Sequence, residues 1–183
     1  MPLTQIDENS ALVVIDLQRN IVGMLGDAAR PTVTNAAALA ADFRAAGRPV
    51  VLVNVATRPP GRTDAGTSTA EFAAADIVID AALGSDAADI RITKRAWGAF
   101  TNTDLDARLR ELGVTQIVMT GISTSIGVES TARSAYELGY HVVLVEDAMT
   151  DSLPAAHDFS VATIFPKLGE VTTTADIGAK LHG

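Results

Sequence analysis

The stretch TGISTSIGVESTARSAYELGYHVVLVEDAMTD, Thr120 to Asp151, decides how this sequence folds. An apolar run, Thr115–Met119 (TQIVM), leads into it and gives way at Thr120 and Gly121. A compact polar turn follows, and a helix begins near Ile126 or Gly127. Val128, Ala132 and Ala135 line one face of that helix, which ends at Gly139. His141–Val145 (HVVLV) is the next apolar run, and it stops at Glu146 and Asp147. Strand, turn, helix and strand in so short a span make a right-handed crossover between parallel strands.

The same alternation continues outward in both directions. Ala11–Ile15 (ALVVI) ends at Asp16, Pro49–Val55 (PVVLVNV) ends near Thr57, and Ile90–Ile92 leads into Thr93 and Lys94. A weaker last strand is expected at Glu170–Thr172. Uninterrupted β-branched runs suit strands covered on both faces. Helices are expected between Thr32 and Gly47, with Ala36, Ala40 and Phe43 inward, and after a Thr103 cap, with Leu105, Leu109 and Leu112 inward. Pro154–Phe165 and Thr174–Leu181 complete the set. The expected architecture is α/β: a Rossmann-like three-layer helix–sheet–helix sandwich, read as a single domain over 1–183. Arg58–Ala88, with Pro59, Pro60, Gly61, Gly66 and a Ser/Thr cluster, is the longest irregular stretch and reads as an active-site loop.

Composition excludes several classes of function. Of 183 residues, 48% are hydrophobic and 4% aromatic, and 22 acidic against 14 basic side chains leave a net charge of −8. An acidic chain without a Lys/Arg cluster is a poor binder of nucleic acid or anionic membranes. There is no cysteine, hence no disulfide and no thiol chemistry. The first residues (MPLTQIDENS) carry neither a basic nor an apolar leader, and no apolar run approaches membrane-spanning length. A cytoplasmic protein acting on a small molecule is expected. His141, His157 and His182 are scattered, so no metal site is expected; no phosphate-binding glycine motif is present, so neither is a cofactor.

In parallel α/β sheets ligands sit beyond the carboxyl ends of the strands. That rule selects Asp16, the Ala56–Gly66 loop, Lys94, the Gly121–Gly127 turn and Asp147. A carboxylate at the tip of a buried strand is partly desolvated and suited to acid–base work, although an isolated Asp there serves as often to cap a loop. Lys94 is a candidate partner for it. Backbone N–H groups of the turn are suited to developing negative charge. Ser123, Thr124 and Ser125 offer hydroxyls for substrate, or equally for capping the helix.

Taken together, Asp16 in VVIDLQ, Lys94 in TKRAWGAF, the turn before Gly127, and TARSAYELGY through Asp147 resemble the isochorismatase-like hydrolase superfamily. That superfamily includes isochorismatases, nicotinamidases and N-carbamoylsarcosine amidases. The ending IFPKLGEVTTTADI is similar too, and the resemblance covers nearly the whole chain, with Arg58–Ala88 its least matched part. It implies a six-stranded parallel sheet of order 3-2-1-4-5-6 and a homo-oligomer, dimer or tetramer. It implies a catalytic set of Asp16, Lys94 and the residue at 127, where most members have cysteine and this chain has Gly127. It also implies an oxyanion turn of Ile122, Ser123, Ile126 and Gly127, with a cis peptide between Ile122 and Ser123. Gln18, Arg58, Arg62, Trp97, Thr124 and Ser125 are the substrate-binding candidates.

Glycine closes the thiolate route to amide hydrolysis. Several isochorismatases also carry glycine there, and they cleave a vinyl ether, which needs a proton donor and water but no protein nucleophile. By that resemblance Asp16 is the general acid, Lys94 tunes it, and the product is pyruvate. The Asp/His metal cluster of nicotinamidases has no counterpart between Asn54 and Asp80. Two rival readings remain: a family member that has lost catalysis and keeps the pocket as a binding module, and an amide hydrolase that uses Ser123, Thr124 or Ser125 in place of the thiol, with no histidine base near them in sequence.

Overall fold

A computed structural model of the chain describes residues 3–64, 66 and 70–182. The apolar runs form six parallel strands: β1 (Ser10–Ile15), β2 (Val50–Val55), β3 (Ile90–Lys94), β4 (Gln116–Ile122), β5 (His141–Thr150) and β6 (Glu170–Thr172). Their order is β3-β2-β1-β4-β5-β6, as the resemblance implied. β1 and β4 are buried along their whole length, which is why they read as unbroken apolar runs.

Alternate residues of each strand supply two cores. Leu12, Val14, Leu52, Val118 and Val143 face helix α2 (Arg30–Ala45), through Ala36, Leu39, Ala40 and Phe43, and helix α6 (Thr174–His182), through Ile177. Val13, Ile15, Val51, Val53 and Met119 face helix α3 (Leu105–Glu111) and helix α4 (Glu129–Glu137), through Leu105, Leu109, Ala132 and Ala135. This is the expected sandwich, with the sheet between two helical layers.

Four departures from the sequence reading matter. Leu112 was placed with Leu105 and Leu109, but it is 52% exposed: α3 ends at Glu111, and Leu112 borders a surface cleft with Pro49 and Ile90. A short helix, α1 (Arg19–Leu25), follows β1; it buries none of its residues and so left no periodic signal. Pro154–Phe165 is interrupted: α5 covers Pro154–Phe159 and a wide turn takes over at Ser160–Ile164. Finally, β5 runs on to Thr150, with its register to β4 shifting between Met119 and Gly121, so that Glu146 and Asp147 belong to an irregular strand rather than to a loop.

Among its described residues, the long segment after β2 is irregular apart from one 3-10 turn at Ala81–Leu83. It is tied down by backbone bonds. Phe72 N donates to Ala56 O at 2.8 Å, Arg19 N to Val78 O at 2.9 Å, and Asp80 N to Leu17 O at 2.8 Å. The Ser/Thr cluster at 67–69 lies outside the described residues.

Candidate active site

Asp16 stands one residue beyond β1, and its N–H donates to Val53 O at 2.9 Å. It adopts a positive φ of 54°, unusual for a residue other than glycine, which turns its side chain over the end of the sheet. Lys94 is the last residue of β3, not past it, and reaches across the end of β2. Its Nζ lies 2.7 Å from Asp16 Oδ2 and donates to Trp97 O at 2.7 Å. The two side chains are 6% and 2% exposed. Asp16 Oδ1 is buried and has no hydrogen-bond partner among the described residues.

Burial pushes the Asp16 carboxyl up to about 6, against the opposing pull of Lys94. Desolvation disfavours the carboxylate, and one ammonium contact on one oxygen offsets it only in part.

The third component comes from the turn after β4. The Ile122–Ser123 peptide is cis, where the resemblance placed it. One wide helical turn, Thr124–Val128, then runs directly into α4. Gly127 is buried against the ion pair. A Cβ there would lie 3.0 Å from Ile15 Cγ2, 3.1 Å from Asp16 Oδ2 and 3.4 Å from Lys94 Nζ. The position to which the resemblance assigns a thiol is therefore in contact distance of both charged groups. Thr131 locks the turn to the Lys94 loop: its Oγ1 donates to Gly127 O at 2.6 Å and accepts from Ala99 N at 3.0 Å.

These groups open on a cavity of about 370 Å³, walled by Ile21, Met24, Val55, Phe72, Trp97, Ile122 and Ile126. Its polar lining is Asp16, Lys94, Asn20, Thr57, Arg58 and Ser123. A larger open hollow of about 710 Å³ continues from it, sharing Arg58, Pro59, Ala96, Trp97 and Ile126.

The predicted site residues divide. Asp16, Lys94, Gly127, Ile122, Ser123, Ile126, Arg58 and Trp97 converge on the cavity. Arg62 is exposed and lines neither hollow. Gln18 is fully buried behind the wall, with both ends of its amide bonded to the backbone of Val55. Ser125 points the other way, its N–H and Oγ both donating to Asp151 Oδ2, at 2.9 and 2.8 Å. Thr124 is buried, with its Oγ1 2.8 Å from His157 Nδ1, so an imidazole does stand beside one of the hydroxyls, but away from the cavity. The Ile126 N–H is used within the turn, on Ser123 O at 3.2 Å.

Asp147, which the strand-end rule selected, serves α6 instead: its Oδ1 accepts from Thr174 N at 2.8 Å and Thr174 Oγ1 at 2.9 Å. Asn20, Ile21, Met24 and Phe72 were missed. The first three lie on α1, which had no pattern to find, and Phe72 lies on the irregular segment after β2. Among the described residues no three His, Asp or Glu side chains are grouped so as to hold a metal ion, and no helix is long and apolar enough to cross a membrane.

Comparison with known proteins shows the family. The Isochorismatase domain model matches residues 10–176. An uncharacterised isochorismatase family protein of Escherichia coli O157:H7 is 42% identical over 180 residues, 93% of this chain and 95% of that protein. A ureidoacrylate amidohydrolase of Variovorax paradoxus is 30% identical over 210 residues, 96% of this chain and 82% of that protein. The structure of an isochorismatase family protein from Burkholderia thailandensis superposes with a TM-score of 0.92 at 42% identity, covering 98% of both chains.

Proposed function

We propose, given that this chain belongs to the isochorismatase family of hydrolases, that it hydrolyses a small carboxylated substrate through Asp16, Lys94 and water. One observation carries the reading: the Asp16 carboxyl lines the cavity with its Oδ1 unpartnered among the described residues, and it stays protonated up to about pH 6. Such a group is a proton donor waiting for an acceptor.

The chemistry suited to it is vinyl-ether hydrolysis. Asp16 delivers its proton to the terminal methylene carbon, and the electron pair of the C=C bond forms the new C–H bond. The oxocarbenium ion left behind is captured by water, which gives up a proton to the Asp16 carboxylate. As the resulting hemiketal breaks its C–O bond, its hydroxyl oxygen forms the new C=O and its hydroxyl proton passes to the departing oxygen, releasing pyruvate and an alcohol. Lys94 holds Asp16 in place and stabilises the carboxylate formed in the first step. No protein nucleophile and no metal ion are required. Arg58 and Lys94 favour a substrate bearing carboxylates.

The test is pyruvate release from isochorismate by the intact protein and by Asp16→Asn and Lys94→Ala. Turnover that collapses in both variants supports the scheme, with Asp16→Asn losing about 10²–10⁴-fold. Absence of pyruvate with the intact protein rejects isochorismate as the substrate and favours another small substrate or a pocket that only binds. The serine version is tested separately with a fluorophosphonate, which labels the protein only if Ser123 or a neighbouring hydroxyl is nucleophilic.

A further inference from the structure

The side-chain amide of Asn20 is oriented by a relay that starts in the backbone of β2. Val55 donates its N–H to Gln18 Oε1 at 2.7 Å. That contact fixes which way round the Gln18 amide sits, because a backbone N–H accepts nothing. Gln18 Nε2 is then a donor with two acceptors, Val55 O at 3.1 Å and Asn20 Oδ1 at 2.9 Å. Asn20 therefore gives its oxygen to Gln18 and turns Nδ2 away from it. Gln18 is fully buried, so water does not compete for this relay. The Asn20 backbone is held as well, its N–H donating to Asp76 O at 3.0 Å.

Asn20 lines the cavity with Asp16, Lys94 and Gly127, whereas Gln18 does not. Among the described residues nothing accepts a hydrogen bond from Asn20 Nδ2. We propose that Asn20 is a specificity-determining donor of this site, its Nδ2 binding a carboxylate oxygen of a small organic acid, and that Gln18 is the positioning residue that holds the amide that way round.

The surrounding chemistry favours this. Among the described residues Asp16 is the one acid lining the cavity, and Lys94 and Arg58 are donors only. A cavity that presents donors around a single protonated carboxyl selects a ligand rich in acceptors. A neutral amide also adds a hydrogen bond without adding a cation, and a further cation would pull the Asp16 carboxyl down and weaken it as an acid.

The inference rests on the carboxylated substrate proposed above but not on turnover, so it is tested by binding. Trp97 is the chain's single tryptophan, 55% exposed at the cavity wall, and its fluorescence reports occupancy. Acetate, benzoate and pyruvate are titrated against the intact protein, Asn20→Ala, Asn20→Asp and Gln18→Leu. For the tightest of the three, Kd is expected to rise about tenfold in Asn20→Ala, the loss of one bond to a charged group, and further in Asn20→Asp. Asn20→Asp keeps the acceptor for Gln18, so its unfolding midpoint is expected to stay at that of the intact protein. Gln18→Leu keeps the donor but not its orientation and weakens binding by less than Asn20→Ala. In 15N spectra the Asn20 NH2 signals, identified by their loss in Asn20→Ala, shift as the ligand saturates.

An unchanged Kd in Asn20→Ala, NH2 signals indifferent to saturation, or no quenching by any of the three acids overturns the proposal. Carboxylates that bind through Asn20 while isochorismate yields no pyruvate would sink the catalytic reading alone.

Discussion

Asp16 Oδ2 and Lys94 Nζ stand 2.7 Å apart although a whole strand, β2, lies between the strands that carry them. The contact does not make Asp16 a strong acid. Removing both groups from water costs the carboxylate more than one ammonium returns, and the carboxyl titrates near 6.

A rate limited by this acid has a definite pH profile. Turnover by the intact protein is expected to be level below about pH 6, where Asp16 is protonated, and to fall tenfold per unit above it. A kcat/KM profile that instead rises through this range would assign Asp16 the role of a base.

Stability follows with the same sign. Asp16 binds its proton more tightly folded, at about 6, than at the ordinary value of 3.8. Its contribution is thus fully present below about pH 4 and is lost as the pH rises through 6, a change of roughly 3 kcal/mol. Denaturant unfolding of the intact protein and of Asp16→Asn between pH 4 and 7 isolates this term. The variant is expected to gain on the intact protein as the pH rises.

Gly127 has an ordinary backbone conformation, and a side chain there requires Ile15 and Asp16 to give by a few tenths of an ångström. Gly127→Cys would place the protein's single thiol beside Lys94 Nζ, which favours the thiolate. Labelling by iodoacetamide at pH 7 is expected to be faster than that of a free cysteine, and to slow in the Lys94→Ala background.

Gly121 is a different case. A Cβ there would lie 2.1 Å from Ile15 O, at a φ of 126°. Gly121→Ala forces β4 away from β1 next to Asp16, and is expected to cost more than about 3 kcal/mol in urea unfolding, with loss of activity.

Asp147→Ala removes the acceptor for the first N–H of α6. A loss of about 1 kcal/mol is expected, with kcat/KM unchanged, because Asp147 does not line the cavity.

The contrast between Asp16 and Asp147 shows how far the sequence could be read. Both carboxylates follow a buried apolar run, and strand ends alone did not separate them. What separates them is the irregular passage of β5, where the strand continues past Asp147 to Thr150 and the carboxylate meets Thr174. The six strands were legible because their burial on both faces demands unbroken apolar runs. Asn20 was not, because α1 buries nothing and is held by backbone N–H bonds that Arg19 and Asn20 donate to Val78 O and Asp76 O, more than fifty residues away in sequence. Thr124 illustrates the same limit: nothing in its neighbourhood of sequence announces His157, which the packing of α5 brings to it.

The division of the site among strands turns it into a gauge of folding. Asp16 belongs to the end of β1, Lys94 to β3 on the far side of β2, and Gly127 to the turn beyond β4. No fragment or half-assembled sheet brings all three together, and a one-residue slip of β3 would turn Lys94 to the opposite face. Recovery of turnover during refolding therefore clocks the docking of β3 onto β2, an event that far-ultraviolet signals, already present once helices form, would report too early.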